Sequence, residues 1–342
     1  MVWVKGRNRD YGSGAGDQWQ LADVLRGQYK VLISATTSVE QNVTTAYGGG
    51  GIGTLGTENY TIVAGLSNSD NYNANTYTYA GWAWKAGGTP TADNSAGAGA
   101  TPTAGSVKIN GSNLGSALAG SIAATRLSAD TTNGFSIVKY AGNSTSGATV
   151  AHGLSQAPEL IIVKCIDVAE AWAVYSSALS SNNKYLVLDT DAGEASDTGR
   201  WNDTTPTASV FSLGNASEVN STNDYIAYCL HSVEGYSKVG SYEGNGDADG
   251  SFIYTGFRPA LVIIKNIDTS ADWILVDNKR DGYNVDNNLI FPNDDNIEST
   301  SDHMDIVSNG FKFRSSATSV NASNDYMYYA VAAYPFKYAN AR

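Results

Sequence analysis

The residues of this chain that could do chemistry are few. Its three histidines, His152, His231 and His303, lack cysteine or carboxylate neighbours at the spacing of a zinc site. The sequence carries no nucleophile elbow, no phosphate-binding loop and no His-Glu-x-x-His motif. We expect His152, which precedes a predicted strand, to be structural or solvent-facing.

Acidic residues in two loops are the remaining candidates for catalysis. Glycoside cleavage uses a pair of carboxylates, and this chain offers five: Asp189, Asp191, Asp294, Asp295 and Glu298. Acidic loops on an acidic protein are ordinarily just solvated. We therefore expect no catalytic residues and no enzyme, with a polysaccharide-cleaving activity kept as an alternative.

Two further loops could bind ligands. Asn245, Asp247 and Asp249 resemble the opening of a calcium loop, but Gly256 stands where an EF-hand requires glutamate. A plain hairpin turn is the simpler interpretation, so we expect no cofactor and keep calcium as the alternative. Trp201, followed by Asn202 and Asp203, has no counterpart elsewhere in the chain. It could be an exposed platform for stacking a sugar, or it could fill a core.

Composition excludes several classes of partner. The chain of 342 residues has 21 Lys and Arg against 33 Asp and Glu, a net charge of −12. An acidic surface argues against nucleic acid and against an anionic membrane. The N-terminus lacks the apolar core of a signal peptide, and no apolar run reaches about 18 residues. We expect neither nucleic-acid binding nor membrane insertion. Cys165 and Cys229 are too few for a disulfide scaffold; two buried thiols or one bridge remain open.

An internal repeat organises the chain. Two segments of about 100 residues share a series of positions at a constant offset of 101, which indicates duplication. The matched positions are Gly134 and Gly235, Pro158 and Pro259, Lys164 and Lys265, Trp172 and Trp273, and Tyr225 and Tyr326.

The repeat predicts three modules and one connection. Residues 1–85 are interpreted as a divergent first β module without its opening strands, residues 132–232 as the second and residues 233–342 as the third. The motif W-x-L-x-D-x-x-R, starting at Trp19 and at Trp273, links the first to the third. Either the recorded start lies inside a longer product, or another chain supplies the missing strand.

The intervening residues 86–131 are rich in Gly, Ala and Thr. This composition predicts a flexible linker with a short strand pair around Asn110-Gly111. The Ala-rich stretch 114–127 suggests one short helix.

Short apolar runs, period-two alternation and frequent turn signals predict an all-β chain of tandem β-sandwich, jelly-roll-like modules. The run Leu160–Val163 is typical of a strand buried on both faces. We expect each module to have its own core containing its tryptophan. The lysine that ends each apolar strand should keep its ammonium in water. The Asp–Arg pairs after two of the tryptophans should be local ion pairs that brace a turn.

With these residues in view, the chain resembles repeated modules of tailed-bacteriophage virion proteins, especially tail-fibre-like and tail proteins of marine and cyanobacterial phages. The stretches that carry the resemblance are residues 81–88, 134–140, 152–158, 235–238 and 256–259. The resemblance implies a non-enzymatic component of the virion that is often in contact with the host surface.

From repeat, composition and resemblance together we expect a virion surface protein, a tail fibre or receptor-binding component. It would form a homo-oligomer, most simply a trimer, contact other virion proteins and bind host surface glycans with avidity. A purely structural head-decorating or tail-associated protein, and a polysaccharide depolymerase, are the alternatives.

Overall fold

The computed structural model describes residues 1–8, 18–45, 50–63, 72–280, 284–285, 288–301 and 303–335. Within these ranges the chain is almost entirely β-structure in antiparallel sheets, so the predicted all-β, sandwich-type fold is confirmed. Residues 336–342, the predicted end of the third module, lie outside the described part.

The described residues of the first module form seven strands. They are β1 (Val2–Gly6), β2 (Gln20–Ala22), β3 (Lys30–Val31), β4 (Gln41–Asn42), β5 (Gly51–Leu55), β6 (Tyr60–Val63) and β7 (Tyr79–Ala83). The order β2-β1-β7 forms the main sheet, and β3-β4 and β5-β6 form two small pairs. Among the described residues, β7 pairs only with β1.

The linker and the second module form one unit. The strands are β8 (Val107–Ile109), β9 (Ser112–Asn113), β10 (Ala124–Asp130), β11 (Phe135–Ala141), β12 (Ala148–Ala151), β13 (Leu160–Cys165), β14 (Ala173–Ser176), β15 (Lys184–Val187), β16 (Ala195–Ser196), β17 (Val210–Leu213) and β18 (Asp224–Leu230), with the short helices α1 (Thr198–Trp201) and α2 (Ser217–Asn220). The main sheet runs β16-β15-β14-β13-β18-β11-β10-β8-β9 and faces the pair β12-β17.

The third module repeats this plan with fewer strands. They are β19 (Ser237–Glu243), β20 (Phe252–Tyr254), β21 (Pro259–Asn266), β22 (Ile274–Asp277), β23 (Met304–Val307), β24 (Gly310–Phe313) and β25 (Asp325–Ala332). One sheet is β19-β25-β21-β22 and the other is β20-β24-β23. The two sheets enclose an apolar core that includes Val262, Phe311 and Tyr328.

The main sheets are buried on both faces because a fourth core lies between the modules. In β13, Ile161 and Val163 face the second module's own core, whereas Leu160 belongs to a cluster shared with the other two modules. The prediction of a strand buried on both faces is therefore confirmed for Leu160–Val163. Each apolar side chain buried there contributes about 1.5–3 kcal/mol, so the shared core ties the three modules together.

The sequence led to two errors about these segments. The tryptophans expected in separate cores, Trp19, Trp172 and Trp273, all lie in the shared core. The predicted helix in 114–127 is also wrong, because Ala124–Asp130 is strand β10, paired with β11 along its length. Pairing with an open sheet edge there outweighs the weak helix preference of alanine-rich sequence. The linker is thus built into the second module's sheet.

Candidate functional site

Side chains that recur in all three modules meet at the boundaries between modules. Trp19 of the first module donates its indole N–H to Phe291 O of the third at 2.7 Å. Trp172 of the second donates to Ile33 O of the first at 3.0 Å, and Trp273 of the third donates to Val187 O of the second at 3.0 Å. Each module therefore donates to a different neighbour, and the three contacts close a ring.

The recurring lysines repeat the same cycle. Lys5 Nζ donates to Asp295 O at 2.8 Å, Lys164 Nζ to Thr37 O at 3.1 Å and Lys265 Nζ to Asp191 O at 2.9 Å. All three lysines are fully buried, so the expectation that their ammonium groups stay in water is wrong. A buried cation needs hydrogen-bond acceptors, and carbonyl groups of the adjacent module supply them.

Main-chain hydrogen bonds also join the modules at all three boundaries. The amide of Glu40 donates to Ile166 O, that of Glu194 to Ile267 O, and that of Glu298 to Arg7 O, at 2.7–3.0 Å. A contact repeated at three boundaries in one direction is what a symmetric assembly of three copies would produce. Here the three copies are parts of one polypeptide.

The predicted Asp–Arg pairs are confirmed. Arg26 Nε lies 2.6 Å from Asp23 and Arg280 Nε lies 2.7 Å from Asp277, and all four side chains are nearly or fully buried. Burial opposes ionisation of Asp23, but the charge and hydrogen bond of Arg26 outweigh it and lower the pKa of that carboxyl. In addition, Tyr228 of the second module donates to Asp23 at 2.8 Å.

The same arrangement recurs at the next boundary. Trp82 of the first module donates its indole N–H to Asp277 of the third at 3.0 Å. Glu298 completes this cluster, since it accepts from Arg280 at 2.6 Å and from Arg7 at 2.7 Å. The acid–arginine pairs thus brace their own turns and also join neighbouring modules.

A comparison with known protein families identifies the family of this chain. A family model described as a domain of unknown function, DUF7483, matches residues 1–108 and again residues 108–335. The chain belongs to the DUF7483 family. No curated protein and no solved structure matches it.

The two family matches meet inside the linker. The second match begins inside β8 and takes in the rest of the linker with the second and third modules, while the first covers the first module. DUF7483 therefore includes the linker strands together with the modules that they join. The residues of the ring contacts fall inside the two matched ranges.

The aromatic residue predicted as a sugar platform lies in a core. Trp201, in α1, is 1% exposed and packs edge-on against Tyr175, with ring centroids 5.9 Å apart. Asn202 and Asp203 follow it in left-handed conformations, with φ of 52° and 46°. Trp201 therefore fills a core, which was the other interpretation of this residue. Its ring cannot stack on a sugar in this position.

The predicted calcium loop is held by its own contacts. Asn245 Oδ1 accepts from the Asp247 amide and Asp247 Oδ1 from the Asp249 amide, as in a chain of turns. Asp249 pairs with Lys312 at 2.9 Å, and this hydrogen bond and charge lower the pKa of Asp249. Among the residues with described positions, no group of three or more His, Cys, Asp and Glu side chains is placed to hold a metal.

The carboxylates considered for glycoside cleavage are divided between two boundaries. Asp189 accepts the Trp172 amide at 2.7 Å, and burial raises its pKa. Asp294 accepts from Asn296, and Glu298 is ion-paired with two arginines. Asp191 and Asp295 receive the lysines through their main-chain carbonyls.

The histidines and cysteines lie in structural surroundings. His152 is buried, its Nδ1 accepts the Leu154 amide and its Nε2 donates to Thr207 O, and burial lowers its pKa to about 4. Cys165 and Cys229 are both free and buried, and burial raises the pKa of Cys229 to about 12. In the described ranges, no helix is both long and apolar enough to cross a membrane.

Sequence reasoning missed the boundary role of the lysines, and that role predicts a pH dependence. Burial lowers the pKa of Lys265 to about 8, against the opposing charges of Asp191 and Asp272. The unfolded chain keeps this lysine protonated up to about pH 10.5, so between these values the unfolded state binds more protons. Raising the pH through this window therefore favours the folded state.

We expect the advantage of the wild type over Lys265→Met to grow by about 1–3 kcal/mol between pH 7.5 and 10. Urea unfolding of both proteins at a series of pH values measures it. Lys279→Met, at an exposed lysine of the same module, is the control and should show no such growth. A constant difference between wild type and Lys265→Met would contradict the prediction.

Proposed function

We propose that this protein is a non-enzymatic structural component of the surface of a tailed-phage particle. The observation that supports this is the ring of contacts among the three modules. The lysine and tryptophan side chains that recur in every module form hydrogen bonds to a neighbouring module. Trp172 and Lys164, for example, both donate to the main chain of the first module.

A structural role explains why these residue types recur. A rigid unit that carries load needs its parts fixed to one another. A buried lysine that donates to carbonyl groups of the adjacent module fixes the boundary through charge-assisted hydrogen bonds. The virion setting rests on the resemblance of residues 134–140 and 235–238 to repeated modules of phage tail proteins.

We propose a structural role in preference to receptor binding. Trp201, the candidate platform for a sugar, is buried, so glycan binding loses the aromatic residue considered for it. The homotrimer stays a prediction that analytical ultracentrifugation can measure. One chain already supplies three modules in a ring, so a monomer would be compatible with this function as well.

Particles purified from infected host cells test the proposal. Gold-labelled antibodies against this chain should bind intact virions at a regular position, and the protein should copurify with particles through a density gradient. Recovery of the chain only from the particle-free lysate would overturn it. Binding on a glycan array would favour the receptor-binding alternative, and a loss of capsule viscosity would favour the depolymerase.

A further inference from the structure

One side of the second module's sandwich is covered by the strap, which we define as residues 118–130. Its first part lies along β12, where Thr149 O accepts the amides of Ser121 at 2.9 Å and Ile122 at 3.0 Å. Its second part is β10, which pairs antiparallel with β11. A single extended segment thus closes the edges of both sheets.

The strap contributes apolar side chains to the core that it covers. Leu118, Ile122 and Leu127 are buried in the second module's cluster. Under this cover the first four residues of β11 are all buried. The strap therefore combines main-chain pairing with the burial of apolar side chains, which is the way strands are added to sheets.

The third module has the same edges without a strap. Tyr140 of β11 and Tyr242 of β19 are equivalent, since they stack on Tyr225 and Tyr326 and donate to Val219 O and Val320 O. By the same register β20 corresponds to β12, because Ile253 pairs with Phe311 as Val150 pairs with Phe211. Among the described residues, no strand pairs with the outer edge of β19 or β20.

The uncovered edges expose groups that the strap would bury. Phe252 and Tyr254 point outward from β20 and are 48% and 60% exposed. In β19, Gly244 donates its amide to Asn324 O, so the amides of Ser241 and Glu243 point to the free edge. The first half of this edge is already bonded, since the amides of Ser237 and Val239 donate to Val233 O and Ser232 Oγ. The second half of β19 therefore offers unpaired amides beside exposed aromatic rings.

Side chains of the module protect part of this edge. Lys238 Nζ donates to Tyr254 O at 3.0 Å, and Ser251 Oγ donates to Glu243 O at 3.3 Å. A lysine on an edge strand is a common device against unwanted pairing. A partner strand that displaces the Lys238 ammonium group would gain access to the Tyr254 carbonyl.

We propose that the edges of β19 and β20 form a docking site for an extended segment of another polypeptide, with the strap's pattern of small and aliphatic residues. The segment adds a strand to β19 and crosses to β20, where its apolar residues cover Phe252 and Tyr254. The strap on the second module is the observation that identifies this occupant. The proposal goes beyond the structural role and does not depend on the phage setting.

A labelled synthetic peptide with the sequence of residues 117–131 is the probe, and the full chain is the receptor. We expect saturable binding by fluorescence anisotropy. Ser241→Pro removes an amide that points to the free edge and should weaken binding at least about tenfold. The same peptide with Leu127→Asp should bind far more weakly, because its buried position cannot take a charge.

The matched variant Lys139→Pro separates loss of the docking edge from loss of folding. Lys139 occupies in β11 the position of Ser241, but its amide faces β10. Ser241→Pro should change the melting temperature by less than about 2 °C, whereas Lys139→Pro should lower it by about 6 °C or more. A similar large loss in both would show that the edge of β19 is already occupied and would overturn the proposal.

Three other results would also overturn it. The peptide could fail to bind, or it could bind Ser241→Pro as tightly as the wild type by exchanging with the strap of the second module. Alternatively, a glycan array could show sugar binding that Tyr254→Ser abolishes while the peptide does not bind. That last result would assign the exposed aromatics to a carbohydrate.

Discussion

Replacing Arg26 with leucine is expected to lower the free energy of unfolding by about 3–5 kcal/mol, because it leaves the Asp23 carboxylate buried without its counter-ion. Both side chains are fully buried in the native protein, with the guanidinium 2.6 Å from the carboxylate and 2.8 Å from Leu21 O. Water cannot reach either group to replace the lost partner. Urea unfolding at pH 7 measures the loss.

The second module supplies the matched control for this variant. At the positions of Asp23 and Arg26 it has Ser176 and Leu179, both buried in the same structural context. The double variant Asp23→Ser with Arg26→Leu copies that solution and leaves no buried charge. We expect it to cost less than Arg26→Leu alone, by about 1–3 kcal/mol, since it loses hydrogen bonds from Tyr228 and to Leu21 O but leaves no Asp23 carboxylate buried without a counter-ion.

Two further measurements test whether charge is the cause. In the wild type the lowered pKa of Asp23 contributes stability above the carboxyl's ordinary pKa of about 4, and this is lost as the pH falls through the folded value. In Arg26→Leu the orphaned carboxyl can take up a proton, so the deficit should shrink between pH 7 and pH 4. Lys312→Met, which removes an ion pair with the exposed Asp249, should leave the stability nearly unchanged. A double variant as unstable as the single one would contradict the argument.

The repeat and the strands were predictable from sequence because their signals are local. An apolar run such as Leu160–Val163, with a tryptophan at a fixed distance behind it, repeats with little change between the second and third modules. The strand register also repeats: Trp82 pairs with Trp3 of β1 as Tyr228 pairs with Ile162 of β13. Each of these statements depends only on neighbours within one module.

The ring could not be predicted because the sequence does not say where a side chain finds its partner. An indole N–H needs an acceptor whether that acceptor lies in its own module or in the next. The lysines gave one available signal. Lys5, Lys164 and Lys265 recur in every module, whereas the Asp–Arg pair is absent from the second. A lysine exposed to solvent would not be expected to recur in all three modules when the buried Asp–Arg pair occurs in only two.

The strap was misread because propensity and context disagree in it. Residues 114–127 favour a helix by composition, but the edges of β11 and β12 offer unpaired main-chain groups, which the strap satisfies. Gly120, with φ of 102°, provides the turn that brings the strap against β12. For Trp201 the sequence left two interpretations open, since an unrepeated aromatic in a polar loop does not show whether a core lies beneath that loop.

Replacing Trp172 with phenylalanine tests the ring, and the loss should exceed that of Trp201→Phe by about 1–3 kcal/mol. Both tryptophans are at most 1% exposed, so the packing lost on shortening the ring is similar. The two differ in their indole N–H groups. That of Trp172 donates to Ile33 O at 3.0 Å and to Thr36 O at 3.1 Å, whereas that of Trp201 has no protein acceptor in the described structure.

Hydrogen exchange distinguishes a contact between modules from a local one. Losing the indole donor should speed amide exchange in residues 33–38 of the first module, more than 130 positions from the substitution. Trp273→Phe should do the same around Val187 of the second module, at the next boundary. If exchange rises only near residue 172 itself, or if Trp172→Phe and Trp201→Phe are equally destabilised, the indole bonds do not hold the ring and the shared apolar core alone does.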